Sequence, residues 1–250
     1  MLMRFCCPVL PLLMLLHVTD AAAACSDPPE RGVIWINCDK QGADLGAADL
    51  RGAILTRSNL AGAKLSHARL SGADFNFVNL RGAQLDGARL DRVRLVSADL
   101  SGADLTDAII EGSSLDRAVL ANARLDRSRL RAASFYQADL SGASLRAAEL
   151  QKANLSQANL AAADLTGADL TAASLEQVEL EGATLRQAVL RGANLEKADL
   201  LGADLSGADL TGANLVNADL SKARIDGAVL DEAQWINRRR CRPGSIGECR

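Results

Sequence analysis

The 250-residue sequence is poor in the residues from which globular cores and active sites are usually built. It contains four Phe, one Tyr, two Trp and two His, and its five Pro all lie outside residues 43–234. A core of large aromatic side chains is therefore excluded, and the chain must stack small units instead. Because His67 is the one His after residue 24, an imidazole-based catalytic site is not expected either.

The sequence also lacks the short motifs that mark common catalytic and ligand-binding sites. It has no Gly-x-Ser-x-Gly, no phosphate-binding loop, no His-Glu-x-x-His and no calcium-binding loop. No nucleophile stands beside a base. We therefore expect a protein that is not an enzyme and that needs no cofactor or metal.

What the sequence does contain is an apolar residue at every fifth position from Leu45 to Leu230, without an insertion or deletion. The residue two positions earlier is nearly always Ala. Neither the helical period of 3.6 nor the strand period of 2 accounts for a strict period of five. The 38 apolar positions hold Leu, apart from Phe75, Ile110, Phe135 and Ile225.

This Ala-polar-Leu-x-x unit, as in Ala103-Asp104-Leu105, resembles the pentapeptide-repeat family over about three quarters of the chain. The resemblance implies a right-handed quadrilateral β-helix, in which four five-residue sides form one coil of twenty residues. We predict an all-β solenoid of about 9–10 such coils with disulfide-containing caps. The predicted boundaries are a signal peptide at 1–24, an N-terminal cap at 25–42, the β-helix at 43–234 and a C-terminal cap at 235–250.

Residues twenty apart share a column if each coil has twenty residues. One column collects the inward-facing aromatic residues Phe75 and Phe135 and reaches Trp35 and Trp235 at its ends. We interpret the two Trp as covers over the two ends of the apolar axis. Gly recurs at the second residue after the apolar position on two opposite sides but not on the side of this column. We expect positive φ at those glycine corners.

Four Cys remain after residue 24, as two pairs on either side of the repeats: Cys25 and Cys38, then Cys241 and Cys249. Four Cys formally allow three pairings, but a rigid rod between the two pairs permits only the local ones. Two disulfides would fit an oxidising compartment. A metal site is the weaker interpretation because His67 is far along the chain from every Cys.

The first 24 residues have the organisation of a secretory signal. Arg4 supplies a basic start, residues 8–18 form an apolar run, and residues 21–24 form a small-residue cleavage zone. The apolar run is too short to span a bilayer, so we expect secretion to the periplasm or extracellular space with no transmembrane segment after cleavage. An uncleaved membrane anchor and a lipoprotein modified at Cys25 are the less favoured alternatives.

Two sets of outward-facing residues are candidate interaction sites. Phe77, Val96 and Tyr136 follow apolar positions of the aromatic column and would form an apolar patch for a protein partner or for a second copy of the chain. An acidic edge lies on another side, just before the apolar positions, and includes Asp139, Glu179, Asp199 and Asp219. The favoured interpretation of this edge is a solvated surface, and calcium binding is the alternative.

We therefore expect a non-enzymatic secreted or periplasmic scaffold whose flat sides contact an unknown protein or the cell envelope. The alternative is a DNA-mimicking inhibitor of the topoisomerase type, a property of the quinolone-resistance members of the family that this sequence resembles. Residues 132–232 hold 15 acidic and 7 basic residues, only about half the charge of DNA of that length. That ratio and the secretion signal disfavour a nucleic-acid-related partner.

Overall fold

The computed structural model describes residues 25–250, so the predicted signal peptide at 1–24 lies outside the described residues. The described chain winds into a four-sided β-helix. From residue 34 to residue 214, each residue that precedes an inward apolar side chain forms a parallel bridge with the residue twenty positions later. The predicted all-β solenoid is thereby confirmed. Within residues 25–250, no helix has the length and hydropathy that a membrane-spanning segment requires.

Four ladders of parallel bridges form the sides, and we name each side by its first bridged residue. The Ile34 side extends over residues 34–234, the Asp39 side over 39–219, the Asp44 side over 44–224 and the Asp49 side over 49–229. Neighbouring coils are about 4.8 Å apart, so the ten steps of the Ile34 side make a rod roughly 48 Å long. The ladder begins at residue 34, so the β-helix extends into the segment predicted as the N-terminal cap.

The axis of the rod is filled by the periodic Leu residues. From Leu45 to Leu215 every inward apolar side chain is at most 5% exposed. Burial of one such side chain contributes about 1.5–3 kcal/mol, which the ordering of the backbone largely offsets. Ser58, Ser113 and Ser128 replace the small residue at three corners, and each donates its hydroxyl hydrogen to a backbone carbonyl at 2.6–2.7 Å.

Nearly every corner is a β-turn closed by a backbone hydrogen bond, as from Ala53 N–H to Leu50 O at 3.1 Å; at Cys38 the N–H donates to the Ser58 hydroxyl instead. The second turn residue has positive φ at every corner from residue 32 to residue 232. The positive φ expected at the glycine corners is therefore present on all four sides. It also occurs at residues other than Gly, as on the Ile34 side, where Phe77 has a φ of 59°. Positive φ at this position is typical of a type II turn and costs about 1–2 kcal/mol for a residue other than Gly.

The N-terminal end is closed by the predicted disulfide between Cys25 and Cys38. Beneath it the Trp35 side chain is fully buried, and Lys40 Nζ lies 4.0 Å from the centroid of its ring. The Ser58 hydroxyl accepts a hydrogen bond from Cys38 N–H at 3.0 Å and donates one to Trp35 O at 2.6 Å. Side-chain bonds thus join the first coil to the second.

The C-terminal end is closed by the predicted disulfide between Cys241 and Cys249, but here the chain reverses direction. Antiparallel bridges join residues 229 and 246 and residues 234 and 240. The last residues therefore cover the final coil only on the Asp49 and Ile34 sides. Leu220 and Ile225, on the other two sides, are partly buried, and so is Trp235, which was predicted to cover this end.

Candidate protein-interaction surface

Exposed apolar side chains cluster at the N-terminal end of the Ile34 side. Ile34 and Ile36 flank the buried Trp35 and are 48% and 43% exposed. Ile34 forms a bridge with Ile54, and Phe77, at a corner of the third coil, is 52% exposed. We define the apolar patch as these four residues and Val96, which are distributed over the first four coils with the polar residues Thr56, Asp74 and Asn76 between them.

The structure brings together two of the three residues predicted for the apolar patch. Phe77 N–H donates to Val96 O at 3.0 Å, so these residues lie on neighbouring coils. Tyr136 lies two coils beyond Val96, with Asp116 between them, and its hydroxyl donates to Gln157 at 3.0 Å. Tyr136 therefore lies beyond the four coils over which the apolar patch is defined.

Ile34 and Ile54 were missed because only residues that follow the apolar positions of this column were considered for the patch, and Ile36 was missed because it lies before residue 43. A signal for them was present, since Ile34 precedes Trp35 by one position and Ile54 is one coil later in the same column. Extending the twenty-residue columns to the outward positions around Trp35 would have found all three.

Charged side chains at the border of the apolar patch are held in place. Arg94 Nη2 lies 2.5 Å from Asp74 Oδ2, and the Arg57 guanidinium carbon lies 5.5 Å from the centroid of the Phe77 ring. Desolvation by burial acts to raise the pKa of Asp74, but hydrogen bonds from Arg94 and from Asn76 N–H outweigh it and leave this pKa lowered. The apolar patch thus has an ordered polar border.

The acidic edge lies on the Asp39 side, where its carboxylates accept hydrogen bonds from the turns. Asp139, Asp199 and Asp219 each bind the backbone N–H two residues later, at 2.8–3.0 Å. Asp199 also forms bridges with Glu179 and Asp219. The pKa of Asp219 is lowered, first by its side-chain hydrogen bond with Ser221. These contacts are Asx-turn contacts that stabilise the corners.

A metal-binding arrangement is not found in residues 25–250, where no group of three or more His, Cys, Asp and Glu side chains is placed to hold a metal ion. His67 is exposed at a corner, beside Gly87. The outward positions thus form protein surface, and the exposed apolar side chains at the N-terminal end stand out from it.

Comparison with known proteins adds the family context of this fold. The family model for pentapeptide repeats matches the chain in eight copies that extend over residues 41–234. The crystal structure of HetL, a pentapeptide repeat protein involved in heterocyst differentiation regulation in the cyanobacterium Nostoc sp. strain PCC 7120, is 34% identical. That match covers 84% of this chain and 90% of HetL, with a TM-score of 0.59.

Two further solved structures are less similar overall. A pentapeptide repeat protein of the Arabidopsis thaliana thylakoid lumen is 32% identical over 38% of this chain and 66% of its own, with a TM-score of 0.37. A trypsin-treated form of QnrB1, a plasmid-mediated fluoroquinolone resistance protein, is 22% identical over 83% and 92% of the two chains, with a TM-score of 0.33. No curated protein sequence gives a significant match.

Proposed function

Because the chain belongs to the pentapeptide repeat family, with its right-handed quadrilateral β-helix, we propose that it is a non-enzymatic scaffold that binds a protein partner through the apolar patch. The observation that carries this proposal is the exposure of Ile34, Ile36 and Phe77 by 43–52%. Elsewhere in the β-helix the large apolar residues mostly fill the axis. Apolar side chains exposed as a group, rather than singly, are typical of interaction sites.

The backbone under the apolar patch is rigid, which favours binding. Trp35 N–H donates to Ile54 O at 2.7 Å, and Asn37 N–H donates to Thr56 O at 3.1 Å. The residues between these bonds therefore have little freedom to lose when a partner binds. Preorganised apolar contacts of this kind raise affinity because the cost of ordering is already met in the free protein.

The proposed location of the scaffold is the periplasm or the extracellular space. Two disulfides support an oxidising compartment, and the first 24 residues of the sequence support export. The Cys25 sulfur is bonded to Cys38, so it is not free to carry a lipid. This supports a scaffold without a lipid anchor, which associates with the envelope through its surface.

Affinity capture with matched variants tests the apolar patch. The mature protein is used to capture proteins from an envelope fraction, and binding of the purified captured protein is then measured. Ile34→Asp and Phe77→Asp should each abolish binding, since a charge there would be buried at the interface. Ile246→Asp is the control, because Ile246 is 56% exposed at the other end of the rod. Equal binding by all three variants would refute the proposal.

Two further measurements complete the test. Light scattering distinguishes a second copy of this chain as the partner: the mass would then be that of a dimer and would halve in Phe77→Asp. Mass spectrometry of the mature protein should find cleavage near residue 24, two disulfides and no lipid. A lipid on Cys25 would contradict the proposed location.

A DNA-mimicking inhibitor of the topoisomerase type is the alternative function. Its support is the acidic composition of residues 132–232. However, Asp164, Asp204 and Asp209 in this region each lie within 2.5–3.6 Å of an arginine, which reduces the exposed negative charge. Inhibition of gyrase supercoiling by the mature protein would favour this alternative over the scaffold.

A further inference from the structure

A concave groove of about 820 Å³ lies along the Asp49 side and the corner that follows it. Five arginines line it, and we call it the arginine groove: Arg51, Arg69, Arg89, Arg92 and Arg131. Two carboxylates, those of Asp91 and Glu111, also line it. Three positive charges are therefore not balanced within the lining.

The arginines at the two ends of the groove are paired with carboxylates. Arg51 forms two hydrogen bonds with Asp49, at 2.5 and 2.7 Å. Arg131 Nη2 lies 2.7 Å from Glu149 Oε2. Glu111 Oε1 likewise lies 2.6 Å from Nη2 of Arg129, a residue outside the groove lining. These charges are compensated within the protein and are not available to a ligand.

The three central arginines have no comparable partners. The nearest carboxylate oxygens are 3.7 Å from Arg69 and 3.8 Å from Arg89, too far for hydrogen bonds. The Arg92 side chain forms no ion pair and no hydrogen bond within residues 25–250, although its backbone N–H donates to Glu111 O at 3.0 Å. The side chains of Arg69 and Arg89 are 49% and 60% exposed. Their N–H groups therefore face the groove and solvent.

The fold holds these like charges together. Arg69 and Arg89 are bridged neighbours, about 4.8 Å apart along the ladder, where like charges repel. Arg92 stands in the corner column that Gly72 and Gly112 occupy on the coils before and after it. A Cβ at residue 112 would lie 3.7 Å from Arg92 Cγ, an ordinary van der Waals distance, so the Arg92 side chain lies against the next corner of this column. An anion bound between the guanidinium groups would relieve their repulsion.

We propose that the arginine groove binds a phosphate-bearing anion with at least two negative charges, with Arg69, Arg89 and Arg92 as the principal contacts. The planar guanidinium group donates paired hydrogen bonds that match phosphate oxygens. Neighbouring arginines at one coil spacing would contact the same phosphate or adjacent ones. The phosphate would come either from a soluble anion or from a lipid headgroup. The groove is distinct from the apolar patch, so this activity goes beyond the proposed scaffold.

Calorimetric titration of the mature protein with tripolyphosphate tests the soluble source, and sedimentation with phosphatidylcholine vesicles containing phosphatidic acid tests the lipid source. The groove variant carries Arg69→Gln, Arg89→Gln and Arg92→Gln. The matched control carries Arg127→Gln, Arg146→Gln and Arg191→Gln, which removes the same charge from arginines that lie 2.5–2.9 Å from carboxylates on other parts of the surface. Citrate serves as the carboxylate comparison.

We expect saturable binding from at least one phosphate source, weakened by about tenfold or more in the groove variant and by no more than about twofold in the control. The groove variant should melt at or above the temperature of the unmodified protein, because it loses like-charge repulsion; this shows that it remains folded. The proposal fails if neither phosphate source binds, if both variants weaken binding equally, or if citrate binds as tightly as tripolyphosphate.

Discussion

At the N-terminal end of the rod the Trp35 side chain is fully buried, whereas at the C-terminal end Trp235 is only partly buried. Each end has one Trp of the same column and one disulfide. The N-terminal Trp lies within the parallel ladder, where Trp35 N–H binds Ile54 O. The C-terminal Trp is paired instead with the returning chain, through Trp235 N–H and Arg239 O.

The difference shows that the path of the chain, more than its composition, decides how well an end is closed. The returning tail covers two sides of the final coil. On the other two sides the N–H groups of Leu220 and Ile225 have no backbone partner within residues 25–250, although Leu215 N–H donates to Gln234 O at 2.7 Å. Unpaired strand edges open most easily, so the C-terminal end should be the less stable end.

Replacement of the two Trp residues should show the largest difference in stability between the two ends of the rod. Trp35→Ala should cost about 3–5 kcal/mol in the free energy of unfolding, because it empties a fully buried site in the axis. Trp235→Ala should cost about 1–2 kcal/mol, since less apolar surface is lost. Chemical denaturation of both variants measures the difference, and equal losses would show that the two ends are closed equally well.

Removal of the disulfides should affect the two ends almost equally. The pairs are separated by 13 and 8 residues, for which loop closure predicts about 3 and about 2.5 kcal/mol. The test compares the Cys25→Ser, Cys38→Ser variant with the Cys241→Ser, Cys249→Ser variant by denaturation. A much larger loss at the N-terminal end would mean that this disulfide also positions Trp35.

The Ser58 hydroxyl is expected to stabilise the N-terminal end of the rod by joining its first two coils. Ser58→Ala removes bonds to Cys38 N–H and Trp35 O and should cost about 1–2 kcal/mol. Ser128→Ala is the control, because its hydroxyl binds only Leu125 O within its own turn, and we expect about half that loss. Hydrogen exchange of Cys38 N–H should increase in Ser58→Ala and remain unchanged in the control.

Acid titration should show the smallest difference between the two ends of the rod. The side-chain hydrogen bond from Arg51 lowers the pKa of Asp49, near the N-terminal end, to about 2, and hydrogen bonds from Ser221 lower that of Asp219, near the C-terminal end. A carboxyl whose pKa is lower in the folded than in the unfolded protein stabilises the fold. This contribution to the free energy of unfolding is complete above the pKa of the unfolded state and is lost as the pH falls through the pKa of the folded state.

Carboxyl NMR titration should therefore show Asp219 protonating before Asp49, which should remain charged until about pH 2. Arg51→Gln should return the Asp49 pKa toward its ordinary value and leave Asp219 unchanged. If Asp49 titrates near its ordinary pKa in the unmodified protein, the ion pair with Arg51 is not formed in solution.

The five-residue period, with the coil that its resemblance to the pentapeptide-repeat family implies, was sufficient to predict the coils and the buried column. The position of one Cys pair on each side of the repeats then predicted both disulfides. The period could not predict the antiparallel return of residues 235–250, which do not follow it. It also could not predict which arginines of the groove find a partner. Arg51 reaches the carboxylate two residues before it, whereas Arg89 stays 3.8 Å from the one two residues after it. Side-chain conformation, which spacing does not encode, decides such pairs.

The coil of twenty residues also limits how the gene for this protein can change in length. An in-frame duplication of one whole coil would return every later residue to its own side and leave the C-terminal tail over the same two sides. Duplication of a single five-residue unit would rotate all later residues by one side, although the Leu period would remain perfect. Length variants in nature should therefore differ by whole coils, and shorter insertions should occur only together with a remodelled tail.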